Sequence, residues 1–206
     1  SRFSTYSGFV LMIFSTICLI FAFVNHDYSI QYVADHSSNA MPMIYTWIAF
    51  YSGNEGSLLF ICASLAVLLF LFVRNQSIGD MTSNYSTVFV LLFMIFLLGT
   101  TSLLANPFNL SEYTPEDGQG INPLLLHFGM FIHPPVQMIG LTGVIVPFAI
   151  SLGIVISGDM DSKLNLLRKW SISIWMILTA GLALGSWWAY TILGWGGYWA
   201  WDPVEN

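Results

Sequence analysis

Five apolar runs, each close to the length that crosses a lipid bilayer, constrain the fold of this chain more than any other feature. They cover residues 6–24, 58–73, 88–104, 136–156 and 170–190. A bilayer core requires about 20 residues of helix, and it holds no water to satisfy an exposed backbone. We therefore predict an all-α integral membrane fold with about five transmembrane helices.

The scarcity of charge supports a membrane fold. The 206 residues are 56% hydrophobic and only 8% charged, whereas soluble domains carry about 25% charged residues. A net charge of −6 without a basic patch argues against nucleic-acid binding. Cys18 and Cys62 lie inside apolar runs, and we expect them to be small hydrophobic side chains without a redox role.

The basic residues predict the topology, because all of them can lie on one side of the membrane. They are Arg2, Arg74, Lys163, Arg168 and Lys169. Residues 25–57 and 105–135 and the tail after residue 190 contain no lysine or arginine. By the positive-inside rule the N-terminus is cytoplasmic and those three segments face outward. The outward side then holds all four histidines.

An apolar segment at residues 41–51, in the first outward loop, is too short to span. We expect it to lie in the outer membrane interface, where Tyr45, Trp47 and Tyr51 are favourable.

The tail of the chain is rich in tryptophan and glycine. Trp195, Tyr198, Trp199 and Trp201 alternate with Gly194, Gly196 and Gly197. Such a pattern suits a shelf for a flat, apolar macrocycle, because aromatic faces are stiff and glycine permits close approach. It also suits an interfacial aromatic belt, and the residues alone leave both interpretations open. Asp202, before Pro203, is predicted to cap a further helix.

The sequence WGGYWAWDPVEN at the tail resembles the tryptophan-rich WWD signature of the haem-handling proteins of cytochrome c biogenesis. The ending DPVEN resembles the CcmF-type haem lyase branch of that superfamily, which also includes NrfE-like and CcsA-like proteins. Further similar motifs follow in order along the chain: SSNAMPMIY, NEGSLLF, NPF, INPLL, HPP and GSWWAY. Their order over nearly the whole chain makes coincidence implausible.

The resemblance implies a function in cytochrome c-type biogenesis. In this family the outward WWD surface receives haem b from a membrane-anchored chaperone. Thioether bonds then join the haem to the CxxCH thiols of an apocytochrome c, with thiol-reducing and thiol-presenting subunits as further partners. Membership implies an inner-membrane protein with the WWD surface on the periplasmic side, or the organellar equivalent. A resident haem is expected in the full-length protein.

The resemblance also implies the site residues. His133, in the HPP motif, corresponds to an axial ligand of the haem iron. Alternatively, it anchors a helix whose start is fixed by Pro134 and Pro135. The haem surface is expected to comprise Trp195, Gly196, Gly197, Tyr198, Trp199, Trp201 and Asp202.

The other histidines are assigned lesser roles. We expect His127 to form interfacial hydrogen bonds in preference to ligating iron. His26 and His36 are expected to be solvated or in contact with partners. The second axial ligand is expected beyond residue 206, because the chain resembles only part of the family pattern.

Two alternative functions share some of these features. A haem delivery or export subunit would have the same WWD surface without ligation activity, but the ending DPVEN favours the lyase. An ion transporter would need ionisable groups in the middle of its spans, and these runs have none. We expect residues 1–206 to be the N-terminal part of a longer polytopic assembly protein, with the WWD segment starting at residues 191–206.

Overall fold

The computed structural model describes residues 2–77 and 79–193, and this part of the chain is built from α-helices. The long helices are α1 (Arg2–Val24), α4 (Asn54–Arg74), α5 (Met81–Leu104), α6 (Gly129–Gly143), α7 (Ile145–Ser157) and α8 (Met160–Trp188). Two short helices, α2 (Gln31–His36) and α3 (Met43–Thr46), lie in the first outward loop. Five segments are long and apolar enough to span a membrane, which confirms the predicted fold class.

The helices are longer than the apolar runs that predicted them. Helix α4 adds polar residues at both ends of its run and extends from Asn54 to Arg74. Helix α5 begins at Met81, seven residues before the predicted start. Hydroxyl groups make this polar start possible, because Ser86 and Thr87 donate hydrogen bonds to the carbonyls of Thr82 and Ser83 in their own helix.

Helix α4 is the centre of the bundle and has the largest buried share of the five spans. It packs against α1, α5 and α6, while α8 packs against α6 and α7 packs against α5. Helices α1 and α5 expose large apolar side chains such as Phe14, Phe21 and Phe96. In a bilayer this arrangement turns the exposed apolar faces toward lipid.

The fourth span differs from its prediction. It comprises two consecutive helices, α6 and α7, which meet at Val144. Pro147 lacks the N–H that would bond to the carbonyl of Gly143, which explains the interruption at that point. The span starts at Gly129, so Pro134 and Pro135 lie inside α6 and do not fix its start. The expectation that these prolines fix the start of the helix is therefore wrong.

Tyr51 supplies a hydrogen bond that Pro134 cannot make. Pro134 cannot donate to the carbonyl of Met130, four residues earlier. The hydroxyl of Tyr51 donates to that carbonyl instead, at 2.8 Å. Burial raises the pKa of Tyr51, so its hydroxyl stays protonated and able to donate. This contact fixes the first outward loop against α6 beside His133.

The segment at 41–51 only partly follows its prediction of an interfacial position. Trp47 is 42% exposed, as expected of an interfacial residue. Ile48, Phe50 and Tyr51 are buried, and the turn Ala49–Tyr51 packs against α4. The last residues of the segment therefore belong to the packed bundle and cover the start of α4.

The two outward loops form one unit, here called the outer cap (residues 25–53 and 105–128). Backbone hydrogen bonds join them from Gln31 to Asn109 and from Ser111 to Ser29. An isolated antiparallel bridge pairs Ile30 with Leu110. These bonds hold the loops over the ends of α1 and α4.

At the opposite end of the bundle a polar network joins four helices or their connections. The guanidinium of Arg2 donates to the carbonyl of Gln76. The Lys163 ammonium lies 2.6 Å from the Asp80 carboxylate, which also accepts from Ser83 at 2.5 Å. Arg2 and Lys163 therefore share one end of the bundle, as the predicted topology requires.

The contact between Tyr51 and Met130 can be tested by mutation. Tyr51→Phe leaves a buried carbonyl without its donor and should lower the free energy of unfolding by about 1–2 kcal/mol. In the Pro134→Ala background the new N–H can donate to Met130, so the same substitution should cost little.

Unfolding free energies measured in mixed micelles check this prediction. Tyr45→Phe is the matched control, because Tyr45 lies on the same segment and packs its ring 5.4 Å from Phe131. An equal loss in both Pro134 backgrounds would contradict the explanation.

The ion pair at the opposite end predicts a pH dependence. Partial burial raises the pKa of Asp80, but hydrogen bonds from Lys163 and Ser83 outweigh burial and hold it below its usual value. The stabilisation is therefore complete at neutral pH and is lost as the pH falls through the lowered pKa. Asp80→Asn should cost about 1 kcal/mol at neutral pH and nothing in acid.

Thermal unfolding in detergent as a function of pH measures this difference. Asp161→Asn, at an exposed position of α8, is the control. A destabilisation by Asp80→Asn that persisted unchanged in acid would contradict the role of the ion pair.

Candidate functional site

The candidate site centres on His133, the fifth residue of α6. Its Nδ1 lies 3.0 Å from the carbonyl oxygen of Gly181 on α8. A carbonyl only accepts, so Nδ1 carries a proton and donates. In a neutral imidazole the lone pair is then on Nε2. The indole of Trp188 stands edge-on to the imidazole, with ring centroids 5.7 Å apart.

Two glycines on one face of α8 make room for these contacts. A Cβ at position 185 would lie 2.5 Å from Cε1 of His133, and one at position 181 would lie 2.6 Å from Oε1 of Gln137. Gly181 and Gly185 are four residues apart, the spacing that lets membrane helices approach closely. Gly140 on α6 likewise faces the backbone of Leu178. Small residues on both helices therefore position the His133 ring.

His127 has a different environment from His133. Its Nδ1 accepts a hydrogen bond from the backbone N–H of Gly129 at 3.0 Å. Its ring packs against Trp187, with centroids 5.7 Å apart. With Nδ1 engaged as an acceptor, the neutral ring carries its proton on Nε2 and presents an N–H there. These contacts suit a hydrogen-bonding role better than iron ligation.

His26 and His36 belong to the outer cap. His36 packs its ring 4.3 Å from that of Tyr32, and its Nδ1 donates to the Tyr32 carbonyl at 3.0 Å. His26 lies 3.2 Å from the hydroxyl of Tyr28. Both histidines are partly buried and make contacts within the chain.

The hydroxyl of Tyr28 is central to this part of the outer cap. It lies within hydrogen-bonding distance of Asn39 at 3.1 Å and of Asp117 at 3.2 Å. The backbone N–H of Asn39 also donates to Asp117, and this bond lowers the pKa of the Asp117 carboxyl. His26 therefore adjoins a network that joins the two outward loops.

An aromatic cluster at the outer end of α6 was missed by the sequence prediction. Phe131 on α6 contacts Tyr45, Trp47 and Phe128, with ring centroids 5.4, 6.0 and 6.2 Å apart. Phe128 is 60% exposed, so the cluster presents an apolar surface at the outer end of α6. Aromatic residues at the ends of two neighbouring segments were the available signal, but only folding shows that they meet.

The predicted haem surface lies outside the described residues. Its members are Trp195, Gly196, Gly197, Tyr198, Trp199, Trp201 and Asp202. The described chain approaches them through a wide π-helical turn at Ala189–Leu193, which continues α8. Turns of this kind are frequent at functional sites.

The described residues contain no cluster of three or more His, Cys, Asp or Glu side chains that could hold a metal ion. Within this part of the chain His133 is a single candidate ligand.

Comparison with known proteins identifies the family. Residues 51–206 match the model of the family described as cytochrome C assembly protein. The chain is 38% identical to the cytochrome c-type biogenesis protein CcmF of Pseudomonas fluorescens, over 96% of this chain and 30% of that protein. It is 36% identical to the biogenesis protein NrfE of Haemophilus influenzae, over 91% of this chain and 30% of that protein.

A solved structure agrees with these relatives. The chain resembles the structure of cytochrome c haem lyase CcmF with a TM-score of 0.84 and 29% sequence identity. The match covers 100% of this chain and 32% of that one, so the chain spans about a third of its relatives' length. The resemblance indicated by the sequence motifs is confirmed: the chain belongs to the cytochrome c assembly protein family.

Proposed function

We propose that this chain forms one wall of the outward-facing haem site of a cytochrome c haem lyase. In this proposal His133 is an axial ligand of the iron, and Trp195, Gly196, Gly197, Tyr198, Trp199, Trp201 and Asp202 form the surface that holds the ring. Haem b arrives from a membrane-anchored chaperone. Each CxxCH thiol of the apocytochrome c would add across the C=C bond of a haem vinyl group. The S–H bond and the π bond break, sulfur bonds to one vinyl carbon and hydrogen to the other.

The hydrogen bond of His133 is the observation that carries the proposal. Metal-binding histidines almost always donate their second ring N–H to a carbonyl, carboxylate or water, which fixes the tautomer and the ring orientation. His133 donates its Nδ1–H to Gly181, which leaves the lone pair on Nε2, the nitrogen that binds iron in haem proteins. In this proposal the hydrogen bond to Gly181 orients the imidazole for binding to the iron.

The surroundings of His133 also support a haem site. At the outer end of the same helix, the cluster of Tyr45, Trp47, Phe128 and Phe131 adds an apolar surface. The turn Ala189–Leu193 leads from Trp188, beside His133, to the proposed shelf at residues 195–202. We therefore take residues 191–206 as the start of the WWD segment within a longer assembly domain, residues 1–206.

The distribution of basic residues supports an outward position for the site. Arg2 and Lys163 lie at one end of the bundle, and His133 lies near the other end of its span. By the positive-inside rule the site faces the periplasm of a bacterial inner membrane, or the equivalent compartment of an organelle. The haem chaperone and the apocytochrome would approach from that side.

A haem delivery subunit without ligation activity is the main alternative. The named relatives favour the lyase, because both belong to cytochrome c-type biogenesis and the matching structure is named a haem lyase. An assay for thioether bonds distinguishes the two functions, because only a lyase forms them.

Replacing His133 tests its role as iron ligand. In the full-length protein, His133→Gly should reduce bound haem or shift its absorption spectrum, and covalent haem in a co-expressed c-type cytochrome should fall to background. Added imidazole should restore the spectrum in part, because it can occupy the space left by the side chain.

His127→Gly is the matched control, since His127 lies six residues earlier and presents an N–H in place of a lone pair. It should leave the iron spectrum unchanged. An unchanged spectrum with normal cytochrome maturation in the His133 variant would exclude His133 as the ligand.

The glycine that accommodates His133 provides a second test. Gly185→Ala places a methyl group 2.5 Å from Cε1 of His133 and should displace the imidazole. Loss of this orientation should weaken haem binding by about 10- to 100-fold, as with other changes around a metal ligand.

Gly99→Ala on α5 is the control, because nothing lies within 4 Å of the added methyl group. Haem titration followed by absorbance measures both variants. Equal affinity of Gly185→Ala and the unmodified protein would show that the hydrogen bond to Gly181 does not prepare the ligand.

A further inference from the structure

Two polar side chains in the contact between α6 and α8 are buried without a hydrogen-bond partner among the described residues. They are Gln137, through its Oε1 atom, and Trp188, through its indole Nε1. Each side chain belongs to a residue only 6% exposed. A buried indole N–H normally has a partner, so an unpaired one in a folded protein requires an explanation.

The two groups are too far apart to pair with each other. Gln137 faces Gly181, and Trp188 is seven residues further along α8. At 1.5 Å per residue this separation is about 10 Å along the helix axis. His133 lies between them, opposite Gly185. Gln137 is thus one turn deeper in the membrane than His133, whereas Trp188 lies toward the outer end.

Trp188 is the more informative of the two. A glutamine amide can turn over and present either its oxygen or its nitrogen, but an indole can only donate. The ring of Trp188 is also held on two sides. It stands edge-on to His133, and a Cβ at Gly129 would lie 3.0 Å from its Cγ atom. Close packing therefore limits rotation of the indole toward another acceptor.

The missing partner must be an acceptor, and the neighbourhood indicates its chemistry. Haem carries two carboxylates that require donors. The outward segments at residues 25–57 and 105–135 and the tail after residue 190 contain no lysine or arginine. Within this chain, an outward carboxylate would therefore be bound by neutral N–H donors. Hydrogen bonds from neutral donors to a carboxylate are among the stronger ones in proteins.

We propose that the indole N–H of Trp188 donates a hydrogen bond to a carboxylate of the haem bound at His133. Trp188 is then a haem-positioning residue as well as a contact of the iron ligand. This inference rests on the proposed haem site. It assigns a role to the GSWWAY segment, which precedes the expected WWD surface, and it fixes the rotation of the porphyrin about the bond from iron to His133.

Trp188→Phe in the full-length protein tests the inference, because it keeps an aromatic ring beside His133 and removes the N–H. Titration with haem should show about tenfold weaker binding, equivalent to the loss of one hydrogen bond to a charged group. Titration with haem dimethyl ester, which lacks both carboxylate charges, should show similar affinity in the variant and the unmodified protein. The iron spectrum should not change, since His133 remains.

Trp187→Phe is the matched control. Trp187 is the adjacent residue, is 40% exposed and packs on His127. It should bind both haems like the unmodified protein. Thermal stability of the haem-free protein is a second readout: any loss in Trp188→Phe should reflect ring packing alone, because the indole N–H has no partner among the described residues.

The outcomes separate this inference from the proposed function. If His133→Gly binds haem as the unmodified protein does, the haem site itself is wrong. If His133→Gly loses haem but Trp188→Phe binds both haems normally, only the inference on Trp188 fails. Equal weakening for haem and its ester would also overturn it, because the ring and not the N–H would then matter.

Because Trp188→Phe could disturb folding, a second variant closer in shape to tryptophan is also needed. Benzothienylalanine incorporated at position 188 keeps the bicyclic ring and replaces the N–H by sulfur. It should reproduce the selective loss of haem affinity over ester affinity, and the absence of that selectivity would overturn the proposal.

Discussion

The close contact between α6 and α8 is the constraint on which the candidate site depends. Gly181 and Gly185 remove side-chain volume from one face of α8, so the imidazole of His133 can lie against its backbone. The exposed carbonyl of Gly181 then accepts the Nδ1 proton. A larger residue at either position would separate the helices and leave the imidazole without a fixed orientation. The packing of α6 against α8 thus sets the tautomer and the orientation of the His133 imidazole.

The prolines of the HPP motif link this contact to the outer cap. Pro134 leaves the Met130 carbonyl without its helical donor, and Tyr51 supplies a hydroxyl in its place. An unsatisfied carbonyl is costly where water is absent, so the first outward loop is drawn against α6. The same loop brings Tyr45 and Trp47 to Phe131. One missing N–H therefore helps to explain why an aromatic surface forms at the outer end of α6.

The sequence predicted the number of spans, the placement of the basic residues at one end of the bundle, and the family. These predictions succeeded because apolar length and charge placement are local properties. Helix boundaries were predicted less well. The start of α5 was placed seven residues late because its hydroxyl groups, which are satisfied inside the helix, resemble a loop in composition. The start of α6 was misplaced because proline usually begins a helix, yet Pro134 lies within one.

The sequence alone determined that this chain crosses a membrane, that His133 is a candidate haem ligand and that its histidines lie away from its basic residues. These conclusions follow from residue types and their order. The tertiary structure decided which nitrogen of His133 carries the proton and which glycines hold the ring. It also decided which buried indole N–H has no partner among the described residues. Such properties depend on contacts between residues nearly 50 positions apart, so no local pattern encodes them.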